Sequence, residues 1–174
     1  MTTMTSQMQR AIILVGHGGL PSDLPHELVI RLKKLESARR ASGAPASPEE
    51  MDLNERIRRW PRTSASDPYQ TGLERLAARL RPRLNGALFS LAYNEFCTPT
   101  LQEAFEEVVK AGATHVTVLS SMLTPGGSHA EIEIPEAIQY LQTQYPQITL
   151  LYAWPFDLDV VAEMLAQHVR QFQP

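Results

Sequence analysis

Cysteine is almost absent from this chain: Cys97 is the only one in 174 residues. That excludes an internal disulfide and any cysteine-rich zinc cluster. Acidic residues outnumber basic ones only slightly, 19 to 16. The formal net charge of −3 argues against non-specific binding to nucleic acid by bulk electrostatics. No apolar run approaches the roughly 20 residues that span a bilayer. Met1 to Arg10 is polar and has no hydrophobic signal-peptide core. The expectation is a cytoplasmic protein with neither a membrane nor a nucleic acid as partner. The remaining composition, 43% apolar and 20% charged, is ordinary for a globular protein. Its length suits one domain, 1–174, with a substantial core.

Ala11-Ile12-Ile13-Leu14-Val15 is a continuous β-rich apolar run stopped by a glycine. Such a run reads as a parallel strand covered on both faces. Ala87 to Ala92, Val116 to Leu119 and Ile148 to Tyr152 read alike. Helical patterns lie between them. Pro99 to Lys110 carries Leu101, Ala104, Phe105 and Val108 at helical spacing, with Gly112 behind it, and Glu131 to Thr143 and Asp157 to Gln171 follow. Strands alternating with helices predict an α/β fold, with a four-stranded parallel sheet and helices on both faces. Leu20 to Leu84 breaks that rhythm, being too long for one crossover helix. It holds a helical stretch from Glu27 to Arg40 and then the loose Ala41 to Pro48. Ser47-Pro48-Glu49-Glu50 is a fresh start, with a cap, an N1 proline and early acids. Trp60-Pro61 ends that helix, and Asp67-Pro68 opens another toward Leu80. Residues 20–84 read as a helical insertion in the first crossover, a candidate lid.

Two histidines sit in glycine-flanked turns. One is His17 in Val15-Gly16-His17-Gly18-Gly19; the other is His129 in Thr124-Pro125-Gly126-Gly127-Ser128-His129. Each follows a predicted strand, on the rim where an open α/β sheet binds its ligands. Glu95, in Tyr93-Asn94-Glu95-Phe96, falls on the same rim. Two imidazoles and a carboxylate leave several coordination positions open and suit divalent iron, cobalt or nickel. On the residues alone other readings stay open. His17 could be a loop histidine in a phosphate-binding turn. The run nevertheless fits neither G-x-G-x-x-G nor a Walker A, which also needs a lysine, and it lacks the arginine of an Arg-His-Gly phosphatase signature. His129 could border a helix start with no ligand, and Glu95 could be merely solvated.

At these residues the chain resembles the small sirohydrochlorin chelatases of siroheme and cobalamin synthesis, the CbiX/SirB-type family. An apolar strand with Gly-His-Gly is matched by Gly16-His17-Gly18. A Glu after a strand, then a Pro and an amphipathic helix ending in Gly, is matched by Glu95-Phe96-Cys97-Thr98-Pro99 through Gly112. A Leu, a Gly-rich turn, a His and an acidic-Ile-Pro are matched by Leu123 through His129 to Glu133-Ile134-Pro135. The resemblance covers Ala11 to Gly19 and roughly Asn85 onward. It implies a flavodoxin-like half of a chelatase-like fold and ATP-independent insertion of a divalent metal (Co2+, Fe2+ or Ni2+) into a tetrapyrrole. The metal would be a substrate, and no organic cofactor is implied. It also implies that His17 and His129 bind the metal and that Glu95 assists. Imidazoles hold such an ion weakly and accept the pyrrole protons near neutrality, and a carboxylate offsets part of the ion's desolvation. Family members are tandem halves or dimers of one half. With one set of motifs, this chain is expected to form a homodimer. Three features depart from the family pattern. Gly19-Leu20-Pro21 stands where the family turn continues with Ser-Arg, Glu133 stands for an Asp, and the 20–84 segment is additional.

Arg56-Ile57-Arg58-Arg59-Trp60-Pro61-Arg62 is the densest positive patch. Arginine forks hold carboxylates well. Arg58, Arg59 and Arg62, with Gly126 and Gly127, are therefore candidate contacts to a carboxylate-rich tetrapyrrole, against a solvated helix face. His26 is an outlying candidate ligand. His168 reads as solvent-facing, His115 as structural, Met122 as packing and Cys97 as a small buried hydrophobe. Glu131 and Glu133 suit a helix N-terminus or a cleft mouth that collects metal ions. Two other functions compete: a non-catalytic metal or tetrapyrrole carrier on the same fold, and a phosphate-ester hydrolase using the turns as anion nests. The hydrolase lacks a recognisable nucleophile.

Overall fold

The computed structural model describes residues 8–173. Most of the Met1 to Arg10 stretch therefore lies outside the described residues. Strand β1 (Arg10–Gly16) is central, flanked by β2 (Leu88–Tyr93) and β3 (His115–Ser120), with β4 (Thr149–Tyr152) at the edge. The order is β2-β1-β3-β4 and every pairing is parallel. Val15 pairs with Ala92 on one side and Ser120 on the other. The C-terminal ends of the three strands are thus level, and the loops beyond them share one rim.

Alternation along β1 sends its residues to two faces. Ile13 and Val15 join the main core with Val116, Val118, Leu101, Phe105, Ile134 and Leu141. This core lies under α4 (Leu101–Lys110) and α5 (Ile134–Gln144). Leu14 faces the other way and packs with Tyr93, Cys97 and Leu73, the last from α3 (Pro68–Leu80). Helices pack on both faces of β1, as the alternation predicts. Helix α4 starts two residues later than expected because Thr100 caps it. Thr100 and Glu103 form a reciprocal capping box, which satisfies two backbone donors at once. The helix expected from Glu131 instead begins with a π turn, His129–Glu133, that runs into α5.

Between β1 and β2 lie three helices, α1 (His26–Ser42), α2 (Pro48–Arg58) and α3. Ser47 and Asp67 cap α2 and α3 by accepting from the backbone N–H groups of Glu50 and Gln70. The first two helices, with Leu24 just before them, form a small core from Leu24, Val29, Leu32, Leu53 and Ile57, against which Phe96 packs. The last helix, α6 (Leu158–Arg170), has no buried residue. Among the described residues, no helix is long and apolar enough to cross a membrane.

Candidate metal centre

The rim residues are held by backbone hydrogen bonds that continue the sheet past its strands. Asn94 N–H donates to Gly16 O (2.9 Å), Glu95 N–H to His17 O (2.8 Å) and Ser121 N–H to Val15 O (2.8 Å). Gly18 is needed for this closeness. Its φ is +94°, and a Cβ built there would lie 1.9 Å from the Glu95 carbonyl oxygen, so only glycine fits. Helix α3 closes the turn from the other side, where the His17 N–H donates to the Tyr69 hydroxyl at 2.8 Å.

One ligand atom each from His17, Glu95 and His129 lies within 4.8 Å of the others, and all three residues are half-buried. The two Nε2 atoms are 3.1 Å apart. His17 Nδ1 lies 2.7 Å from the Gly18 carbonyl. A carbonyl can only accept, so this nitrogen carries the proton and Nε2 presents a lone pair. His129 Nδ1 lies 2.9 Å from Glu133 Oε1. The other Glu133 oxygen accepts from Asn94 Nδ2 at 2.7 Å, and that amide nitrogen also lies 2.8 Å from His129 Nδ1. Burial works against the Glu133 carboxylate, but the hydrogen bonds from Asn94 and His129 outweigh it and hold its pKa below the ordinary value. A carboxylate behind an imidazole fixes the ring's tautomer and raises its basicity as a ligand. Two imidazole nitrogens 3.1 Å apart can share a proton or, both unprotonated, a cation, and with Glu95 the donor set suits a borderline divalent ion.

Two cavities open beside this cluster. One of about 590 Å³ is lined by His17, Tyr69, Leu73, Leu76, Ser121 and Met122. The other, about 470 Å³, lies against Glu95 and Phe96 and is edged by Lys33 and Arg40 of α1.

A family model described as CbiX matches residues 64–172. The chain belongs to the CbiX family. The match starts inside the first crossover, so His17 lies outside it while Glu95 and His129 lie within. Among curated proteins, this CbiX chain is similar to a sirohydrochlorin ferrochelatase of Priestia megaterium, with 29% identity over 94 residues, covering 53% of this chain and 35% of that one. The chain thus spans about a third of that relative's length. Among solved structures it resembles the sirohydrochlorin chelatase SirB from Bacillus subtilis subspecies spizizenii in complex with cobalt. The TM-score is 0.55 at 24% identity, covering 89% of this chain and 47% of that one. It also resembles a cobalamin (vitamin B12) biosynthesis CbiX protein from Marinobacter aquaeolei VT8, with a TM-score of 0.52 at 16% identity, covering 94% and 99%. These likenesses carry the fold.

The arginines of the patch have partners within this CbiX chain. Arg62 has a side chain only 6% exposed and forms an ion pair with the buried Asp67. It also donates to Gly19 O at 2.8 Å and to Phe96 O. It therefore ties the His17 turn to the Glu95 loop from inside. Arg58 donates to Asn54 Oδ1, Cys97 O and Asn94 O, and burial lowers its pKa. Arg59 is exposed and paired with Glu55 and Glu103. The three line a polar cavity of about 500 Å³ that His17, Glu95 and His129 do not reach. Gly126 and Gly127 are exposed, and the Gly126 N–H is taken by Glu131 Oε1 at 3.2 Å.

His26 opens α1, is exposed, and is not in the metal-capable cluster. His168 is exposed and His115 half-buried in β3. Cys97 is 1% exposed, and burial pushes its thiol pKa up, as suits a packed side chain rather than a ligand. Met122 packs against the main core and also edges the larger cavity. Sequence reasoning missed the roles of Tyr69 and Asn94. Glu133 had a visible signal: it stands four residues after His129, one helical turn on.

Proposed function

We propose that this chain inserts a divalent metal, Co2+, Fe2+ or Ni2+, into a sirohydrochlorin-like tetrapyrrole without ATP. One observation carries the reading: donor atoms of His17, Glu95 and His129 converge within 4.8 Å beside a cavity of about 590 Å³, within the range of small-molecule sites. Names of relatives support it, including the sirohydrochlorin ferrochelatase and the SirB complex with cobalt. The ion loses water on the two imidazoles and the Glu95 carboxylate, which stabilises the charge outside bulk solvent. Three protein ligands leave positions open for pyrrole nitrogens. As those nitrogens bind the ion, the imidazoles released from it accept the two pyrrole protons. Tyr69, Leu73, Leu76 and Met122 form an apolar wall for the macrocycle face, and Lys33 and Arg40 face its carboxylates. The chain acts in the cytoplasm as a homodimer. The likeness covers about 47% of the SirB chain, which supports reading the matched region as one half of such a fold.

The test is to load the protein with Co2+, add metal-free sirohydrochlorin and follow the visible spectrum. Catalytic conversion is expected in the wild type and none in the His17→Ala, His129→Ala double variant. Full turnover in that variant, or no conversion with any of the three metals, overturns the reading. A single stoichiometric change without turnover makes the chain a carrier instead.

A further inference from the structure

We infer that the polar cavity walled by Arg58 is a second binding site, for a free small molecule that carries a phosphate or carboxylate group. The cavity holds about 500 Å³, within the range of small-molecule sites. Its walls come from the end of α2 and the residues after it, from α3, and from Cys97 and Thr98 of the β2–α4 loop. The guanidiniums of Arg58, Arg59 and Arg62 line it, against the single carboxylate of Glu74.

Two of these guanidiniums have carboxylate partners already. Arg62 is paired with Asp67, and Arg59 with Glu55 and Glu103. Arg58 differs. It is half-buried, yet its bonds go to neutral acceptors, Asn54 Oδ1 and the carbonyls of Asn94 and Cys97. Glu103, Glu95 and Glu55 act on it only from a distance, and burial outweighs them, so its pKa is lowered. Its bonds occupy only part of a guanidinium's five N–H donors. A cation drawn out of water among neutral partners favours an anion beside it, and a guanidinium fork suits a carboxylate or phosphate. The hydroxyls of Ser64 and Thr98 line the same space and can donate to such a group.

Helix α3 separates this cavity from the metal-capable cluster. Its Tyr69, Leu73 and Leu76 line the cavity beside His17, whereas its Gln70, Thr71 and Glu74 line this one. The two share no lining residue, and the cavity against Glu95 shares none with it either. A macrocycle seated at the cluster therefore leaves this pocket to a different ligand. The inference stands on the cavity and its charges and would survive failure of the metal-insertion reading.

Calorimetric titration of the full chain with inorganic phosphate and, separately, with succinate tests it. Saturable binding of at least one is expected, with a change in emission from Trp60, which lines the cavity. Arg58→Gln should weaken that binding about 10-fold or more, the worth of a hydrogen bond to a charged group. Ser64→Glu, at an exposed position, should weaken it too by offering the guanidiniums a carboxylate of their own. That variant keeps the test decisive where Arg58→Gln does not fold. Glu74→Gln should strengthen binding about 3-fold by removing the lining carboxylate. Glu163→Gln, on α6, changes the net charge equally but lies outside the cavity, so it should have no effect. Absence of binding for both anions overturns the inference. Wild-type affinity in Ser64→Glu and Glu74→Gln, or in a folded Arg58→Gln, overturns it as well. So does binding lost in the His17→Ala, His129→Ala variant, since the anion would then sit on the imidazoles.

Discussion

The Nε2 atoms of His17 and His129 lie 3.1 Å apart with their rings nearly perpendicular, at 83°. Each ring has its Nδ1 engaged elsewhere, at Gly18 O and at the Glu133 carboxylate. The two Nε2 atoms therefore face each other and can together hold a cation. On the proposed reading, removing either ring takes away one of three protein ligands. The expected loss in Co2+ affinity for His17→Ala or His129→Ala is ~100-fold or more, the upper end of what losing an outer partner of a metal ligand costs. Calorimetric titration with Co2+ measures it, and unchanged affinity in both variants would sink the shared-ion geometry.

Glu133 contacts His129 but is not in the metal-capable cluster, so on the proposed reading it acts on the ion through His129. Glu133→Gln keeps the side chain's shape but loses the charged acceptor for Nδ1, so Co2+ affinity should fall about 10- to 100-fold. Glu131→Gln is the control. Its carboxylate accepts from Gly126 N–H and Trp154 Nε1 and does not contact the rings, so its effect should be smaller. Equal effects in the two titrations would deny Glu133 its separate role.

Arg62 and Asp67 form an ion pair with side chains only 6% and 2% exposed. Arg62→Met would leave the Asp67 charge buried and unpaired, which costs roughly 3–5 kcal/mol. Urea unfolding should show that loss. Arg59→Ala, on an exposed side chain paired with Glu55 and Glu103, should cost far less, because solvent screens exposed pairs. The opposite ranking would mean that the patch is a surface feature after all.

The sheet and the metal-capable cluster were legible because each rests on short-range signals. Apolar runs stopped by glycine marked the strands, and strand ends placed His17, Glu95 and His129 on one rim. The internal partners of the arginines were not legible, because a run of positive charge says nothing about which way each side chain turns. Arg62 turns inward, since Asp67, Gly19 O and Phe96 O offer acceptors there, and those acceptors come from three separate segments. Tyr69 was illegible for the same reason. Its hydrogen bond to His17 spans 52 positions, and no local pattern encodes a contact of that reach.

Glu103 gives the fold a calculable acid response. Burial pushes its pKa up, but the Thr100 capping bonds and the Arg59 guanidinium outweigh that and hold it below the ordinary 4.5. A carboxylate whose folded pKa is depressed adds stability above its unfolded value and loses it as pH falls through the folded one. Glu103→Ala should therefore lower Tm near neutral pH, and the gap from wild type should close below about pH 4.5. Melting curves across that window check the sign. A gap that widens on acidification would contradict it.

Gly18 separates backbone strain from site geometry. Gly18 and Gly126 both have φ of +94°, but a Cβ at Gly126 would meet nothing within 4 Å, whereas one at Gly18 would strike the Glu95 carbonyl at 1.9 Å. Alanine at either position carries the strain of a positive φ, of order 1–2 kcal/mol. Only at Gly18 must the Glu95 loop also move away from the His17 turn, breaking the Glu95 N–H to His17 O bond of 2.8 Å. Gly126→Ala should therefore lose stability while keeping most of its Co2+ affinity. Gly18→Ala should lose more stability and, in the fraction that folds, bind Co2+ far more weakly, because Glu95 no longer reaches the ion that the imidazoles hold. Urea unfolding and metal titration on the same preparations separate the two effects. Equal Co2+ affinities in the folded variants would show that Glu95 contributes nothing to the centre.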